Sequence, residues 1–124
     1  MELPDLSEGK ITATVFAVFS NPAPGDPVNA HPRIFTASDG RRYDYQVGIS
    51  LNVPGLETGG PRQIMATFED RWAKNVRVGC FSPNYQTFFT GDIGEILVYR
   101  RPLTPQEKEQ IGVYLFCKWA LWSD

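Results

Sequence analysis

"GDIGEILVYRRPLTPQEKEQIGVYLFCKW", Gly91 to Trp119, is the stretch on which the reading of the fold turns. Its first part is the most apolar strand in the chain, about residues 91–100. With alternation at every residue, Ile93, Leu97 and Tyr99 share one face with Glu95, while Ile96 and Val98 share the other with Asp92 and Gly94. After "RRPL" comes Thr104-Pro105-Gln106-Glu107, a capping box. The Thr104 hydroxyl takes the amide of Glu107, Glu107 reaches back to the amide of Thr104, and Pro105 sits where a missing N–H costs nothing. The helix this predicts covers about 104–119. It sets Ile111, Tyr114, Leu115 and Trp119 near one face and leaves Gln106, Lys108, Glu109 and Gln110 to solvent. A lone amphipathic helix cannot bury its own apolar face, so it has to dock on the strands before it.

Upstream, the chain reads as strands and turns. "KITATVFAVF", Lys10 to Phe19, places Ile11, Ala13, Val15, Ala17 and Phe19 on one side and the apolar Phe16 and Val18 on the other. A strand apolar on both faces belongs in the middle of a layered structure. "SNPAPGDPVNAHP" follows with four prolines and reads as a surface loop. "RIFTA" is a short strand leading to the turn signal "SDG". "YDYQVGISL" alternates, with Tyr43, Tyr45, Val47, Ile49 and Leu51 on the buried side. "NVPGLETGGP" reads as a loop, "RQIMATFE" and "NVRVGCF" as strands, and "SPNY" as a turn.

With 124 residues, ten prolines and eleven glycines, the chain reads as one mainly β domain spanning 1–124, an antiparallel β-sandwich closed by one C-terminal helix. A formal charge of −2 argues against nucleic acid or an anionic membrane held by charge. No stretch approaches the ~20 apolar residues of a bilayer span, so no membrane insertion is expected. The opening "MELPDLSEGK" has no basic and apolar leader pattern. The expectation is a cytoplasmic or virion-associated protein, unless the chain is a trimmed piece of a longer one. Cys80 and Cys117 read as two buried thiols rather than a bridge, and with His31 they fit no zinc pattern.

The residues Gly91, Ile93, Glu95, Tyr99, Arg101, Leu103, Thr104, Glu107, Tyr114, Leu115, Lys118, Trp119 and Leu121 resemble the C-terminal signature of bacterial concanavalin A-like (laminin-G-like) jelly-roll domains. In that signature a G-x-I-x-E strand leads through a basic turn to L-[ST]-x-x-E and a helix ending Y-L-x-x-K-[WY]-G-L. Ala120 departs from the usual glycine. "LPDLSEGKITATVFAVF" is similar to the family's opening strand. The resemblance implies a concanavalin A-like jelly roll, shortened in the middle where the family's hairpins are missing. A shortened sheet leaves an edge or apolar face to cover, from which homo-oligomerisation is expected.

The chemistry of single residues points away from catalysis. Retaining glycoside hydrolysis needs two carboxyl groups about 5–5.5 Å apart on one side of the substrate. Asp92 and Glu95, three positions apart on an ideal strand, project to opposite faces. Glu95 matches a position of the family signature that recurs in non-catalytic members, so the resemblance implies a structural hydrogen bond or ion pair, with Arg33, Arg100 or Arg101 as the candidate partners. No nucleophile-and-base pair or phosphate-binding glycine loop accompanies the single histidine. The expected function is non-catalytic recognition or adhesion, with a glycan or surface polysaccharide as partner; the alternative is a structural or assembly subunit, for example of a phage particle. Ligand candidates are Asp39, Arg41 and Arg42 in the first hairpin turn, Asp70, Arg71 and Trp72, and Asn84 with Tyr85. They are chosen because loop aromatics stack on pyranose faces while Asp, Asn and Arg grip hydroxyls. Trp72 reads equally as a residue capping the edge of the core. No cofactor is expected. Calcium at "SDGRRYD" is a minor reading, since carboxylates are sparse there.

Overall fold

The computed structural model describes residues 2–21, 33–38, 48–52, 59–78 and 92–119. Within them lie seven strands and one helix: β1 (Glu2–Leu3), β2 (Lys10–Asn21), β3 (Arg33–Ser38), β4 (Ile49–Asn52), β5 (Gly59–Trp72), β6 (Lys74–Val78), β7 (Asp92–Tyr99) and α1 (Pro105–Trp119). They form two antiparallel sheets, a four-stranded one in the order β1-β6-β3-β4 and a three-stranded one in the order β5-β2-β7.

Strand β2 is the centre of the molecule because both its faces are apolar. Ala13, Val15, Ala17 and Phe19 point into a sandwich-like core shared with Phe35, Ala37, Ile49, Leu51 and Val76 of the four-stranded sheet. Phe16 and Val18 point the other way, into a second cluster with Leu103 and Leu115 that also takes in Leu97, Tyr99, Ile111 and Trp119. The result is three layers, sheet on sheet and helix on the outer face of the second sheet. Burying the Leu115 side chain contributes roughly 1.5–3 kcal/mol to that docking.

The capping box forms as read: the Thr104 amide donates to Glu107 Oε1 at 3.0 Å and the Glu107 amide donates to Thr104 Oγ1 at 3.1 Å. Arg101 adds a two-pronged contact to the same carboxylate, one arm at 3.0 Å, and with Thr104 it draws the Glu107 pKa down to about 2. Leu115 is buried as expected, but Tyr114 is 47% exposed, on the flank of the helix instead of its buried face. Lys108 is partly buried. Cys117 is an exposed thiol, not a buried one, because it lies about 200° around the helix from Leu115; Cys80 lies outside the described residues.

Strand β5 is longer than read. It starts at Gly59, in the segment taken for a loop, and carries Asp70, Arg71 and Trp72 on its far end. Proline is tolerated near its start because the pairing with β2 is irregular there, between Phe19↔Arg62 and Asn21↔Gly59. Of the alternating segment read over 43–51, Ile49 and Leu51 are buried as expected, and 43–47 lie outside the described residues.

Candidate functional site

The candidates Asp70, Arg71 and Trp72 form one corner at the end of β5, and a bulge shapes it. Ala13 pairs with Phe68, but Ile11 pairs with Arg71, so β5 holds one residue more than β2 across this interval. Asp70 absorbs the extra length with a φ of 52°, a conformation Asp tolerates better than most residues. Its amide donates to Thr12 Oγ1 at 3.4 Å, and its carboxylate is exposed. Arg71 Nη1 donates across to the Gly48 carbonyl at 3.1 Å. Trp72 is half-buried at a strand end, not in a loop, with Lys10 Nζ 5.8 Å from its ring centroid.

Gly48 ties this corner to another group of candidates. A Cβ there would sit 1.9 Å from the Ala37 carbonyl oxygen, so only glycine allows the chain to pass. Ala37 and Ser38 on one side of the segment 39–47 and Gly48 on the other are therefore in contact, and Arg71 is anchored there. Asp39, Arg41 and Arg42, which that segment carries, lie outside the described residues, as do Asn84 and Tyr85. The "SDGRRYD" segment weighed for calcium lies there too, apart from Ser38. Among the described residues no cluster of three or more His, Cys, Asp or Glu side chains is placed to hold a metal. No helix among them is long and apolar enough to cross a bilayer.

Asp92 and Glu95 sit differently from the ideal-strand expectation. Phe19 pairs with Ile93 and Val18 with Glu95, so Gly94 is an extra residue, a bulge in β7. The alternation slips by one there. Ile93 joins Ile96 and Val98 against the inter-sheet core, while Leu97 and Tyr99 face the helix. Asp92 and Glu95 thus share the helix-side face instead of projecting apart.

Glu95 is engaged by the helix, and neither Arg100 nor Arg101 among the described side chains pairs with it. The strand, turn and helix form a hairpin whose arms match, about 26 Å of strand against about 22 Å of helix. The last turn of α1 is thereby returned to the first half of β7. There Trp119 Nε1 donates to Glu95 Oε1 at 2.9 Å, and Lys118 Nζ lies 2.9 Å from the same oxygen. Arg100 instead donates to the Leu6 carbonyl at 2.7 Å, and Arg101 holds Glu107. The indole hydrogen bond, followed by that from Lys118, lowers the Glu95 pKa, and Glu95 in turn raises that of Lys118. A general acid for glycoside cleavage requires the opposite shift.

The same cluster frames a pocket of about 250 Å³, lined by Val18, Phe19, Ser20, Asp92, Gly94 and Trp119. The Trp119 ring lies so close over Gly94 that a Cβ there would meet it at 3.1 Å. Reading the sequence missed this pocket. The signal for it was Gly94 itself, since a glycine inside a strand marks a bulge or a close approach.

The sequence matches no family model, and no curated protein or solved structure matches it.

Proposed function

We propose that this chain is a non-catalytic recognition module of concanavalin A-like jelly-roll type that binds carbohydrate. The observation that carries the reading is the corner at the end of β5, where the bulge at Asp70 places an exposed acidic residue next in the chain to Arg71 and the half-buried Trp72. It adjoins the root of the segment carrying Asp39, Arg41 and Arg42. An aromatic face for stacking, with charged hydrogen-bonding groups around it, is the chemistry that sugar recognition uses. The non-catalytic half rests on Glu95, whose carboxylate is occupied by Trp119 and Lys118. Glycan-array screening tests the proposal, with Trp72→Ala and Asp70→Asn as controls. The proposal expects one carbohydrate class to be retained by the parent protein and lost by Trp72→Ala with its circular dichroism unchanged. An array without a retained glycan, or binding indifferent to both substitutions, refutes it.

A second reading, a self-associating or assembly subunit, is favoured by Val113 on the outer side of α1 and Tyr114 on its flank, 53% and 47% exposed. Aromatic and aliphatic side chains of this kind are enriched in contacts between subunits. Light scattering over a concentration series decides it: a stable oligomer that Val113→Glu dissociates supports assembly, and a monomer throughout refutes it.

A further inference from the structure

We infer that the outward face of α1 is a seam on which a second copy of this chain docks, helix against helix and antiparallel, about a two-fold axis. The inference rests on the self-association reading and names its surface and geometry. Gln106, Gln110, Val113 and Cys117 are all exposed, and their spacing of four, three and four residues is that of a coiled-coil seam. At 3.6 residues per turn they fall within about 60° of arc, on the side of the helix opposite the buried Leu115. The helix thus carries two stripes, one packed on the sheet and one at the surface.

Charge decides what the outer stripe suits. The solvent-facing side of a surface helix ordinarily carries its charged side chains. Here Glu107, Lys108, Glu109 and Lys118 all lie off that stripe. Glu107 is held by Arg101 and Lys118 by Glu95, so the flank they share presents neutralised pairs. The chain is acidic, with a formal charge of −2, and two copies repel unless they meet on an uncharged surface. The centres of protein interfaces are depleted in charge in the same way. A glutamine carboxamide both donates and accepts, so a stripe holding two of them is compatible with its own copy.

Symmetry fixes the register. In a two-fold pair residue i meets j and j meets i. Centring the seam on the axis, between Ile111 and Gly112, sets Val113 against Gln110 of the second copy and Cys117 against its Gln106. The antiparallel alignment also opposes the two helix dipoles. Tyr114, 47% exposed, flanks the seam. From Gln106 to Cys117 the seam is about 16 Å long. The contact therefore covers on the order of a few hundred Å², short of the ~800 Å² per partner of a standard interface, and the pair forms reversibly with concentration.

Sedimentation equilibrium under reducing conditions, from micromolar to millimolar protein, tests this. The parent is expected to pass from one chain toward two as concentration rises. Val113→Glu should weaken the association about tenfold or more, by bringing like charges together near the axis. The double variant Gln106→Glu with Cys117→Lys should strengthen it about fivefold, because each new carboxylate faces a new ammonium on the other copy. Those two positions lie about 16 Å apart along one helix, so they do not pair within a chain. In a parallel pair the same substitutions would set like charges together and weaken the association. All three positions are exposed, so the circular dichroism of every variant should overlay the parent's. A parent that stays monomeric overturns this inference and the assembly reading together. An oligomer that Val113→Glu leaves intact, or that the double variant weakens, overturns this inference and leaves self-association standing.

Discussion

Replacing Glu95 tests how the helix is held to the sheet. The side chain is only 16% exposed and accepts a 2.9 Å hydrogen bond from the Trp119 indole while facing Lys118 at the same distance. A hydrogen bond to a charged group contributes about 1.5–3 kcal/mol, and a donor left unpaired keeps its desolvation penalty. Lys118 is half-exposed, so its share is screened and small. Glu95→Ala should therefore destabilise the protein by about 2 kcal/mol. Glu95→Gln keeps an acceptor for the indole and should lose about 1 kcal/mol or less. At this chain length, about 2 kcal/mol corresponds to a fall in Tm of roughly 6–10 °C. Urea denaturation of Glu95→Ala, Trp119→Phe and the double variant closes a cycle whose coupling energy should be about 1–2 kcal/mol. Coupling near zero, or a Glu95→Ala protein as stable as the parent, would refute the reasoning. The helix would then be held by its apolar face alone.

Acid should expose the same contact. The folded-state pKa of Glu95 lies below its ordinary 4.5 because the indole and Lys118 favour the carboxylate. As pH falls, the unfolded chain takes up this proton first. The stabilisation is complete above about pH 4.5 and drains away as pH drops through the folded value, so the gap between parent and Glu95→Ala should narrow below pH 4.5 in denaturation curves. Glu107 behaves alike over a wider window, from 4.5 down to about 2, and Glu107→Gln should flatten the acid limb of a helix-sensitive circular dichroism titration. Thr104→Ala removes the side-chain acceptor for the Glu107 amide and should cost about 1 kcal/mol in thermal melts. Gly48→Ala drives a methyl group to within 1.9 Å of a backbone oxygen, so the β3–β4 pair must separate; loss of hydrogen-exchange protection at Ala37 and Ile49 reads this out.

How much was legible depends on the range of the interaction. The alternation that gives β2 two apolar faces, the capping box at Thr104 and Glu107, and the buried stripe through Ile111 and Leu115 are patterns spanning a few residues. Their physics, side-chain direction and amide satisfaction, is local. The sequence by itself therefore determined a mainly β chain with a strand–turn–helix unit at its end. The bulges at Asp70 and Gly94 were decided by tertiary structure, because an extra residue is only defined against the strand opposite it. One slip at Gly94 reversed the relation of Asp92 to Glu95. Glu95 takes part in a hydrogen bond and an ion pair, the kind of contact read for it, but its partners depend on where fifteen residues of helix end relative to the strand they fold back upon. That length match, and not the charge of the nearer arginines, delivers Lys118 and Trp119 to it, and it assembles the Trp119 pocket from residues far apart in the chain.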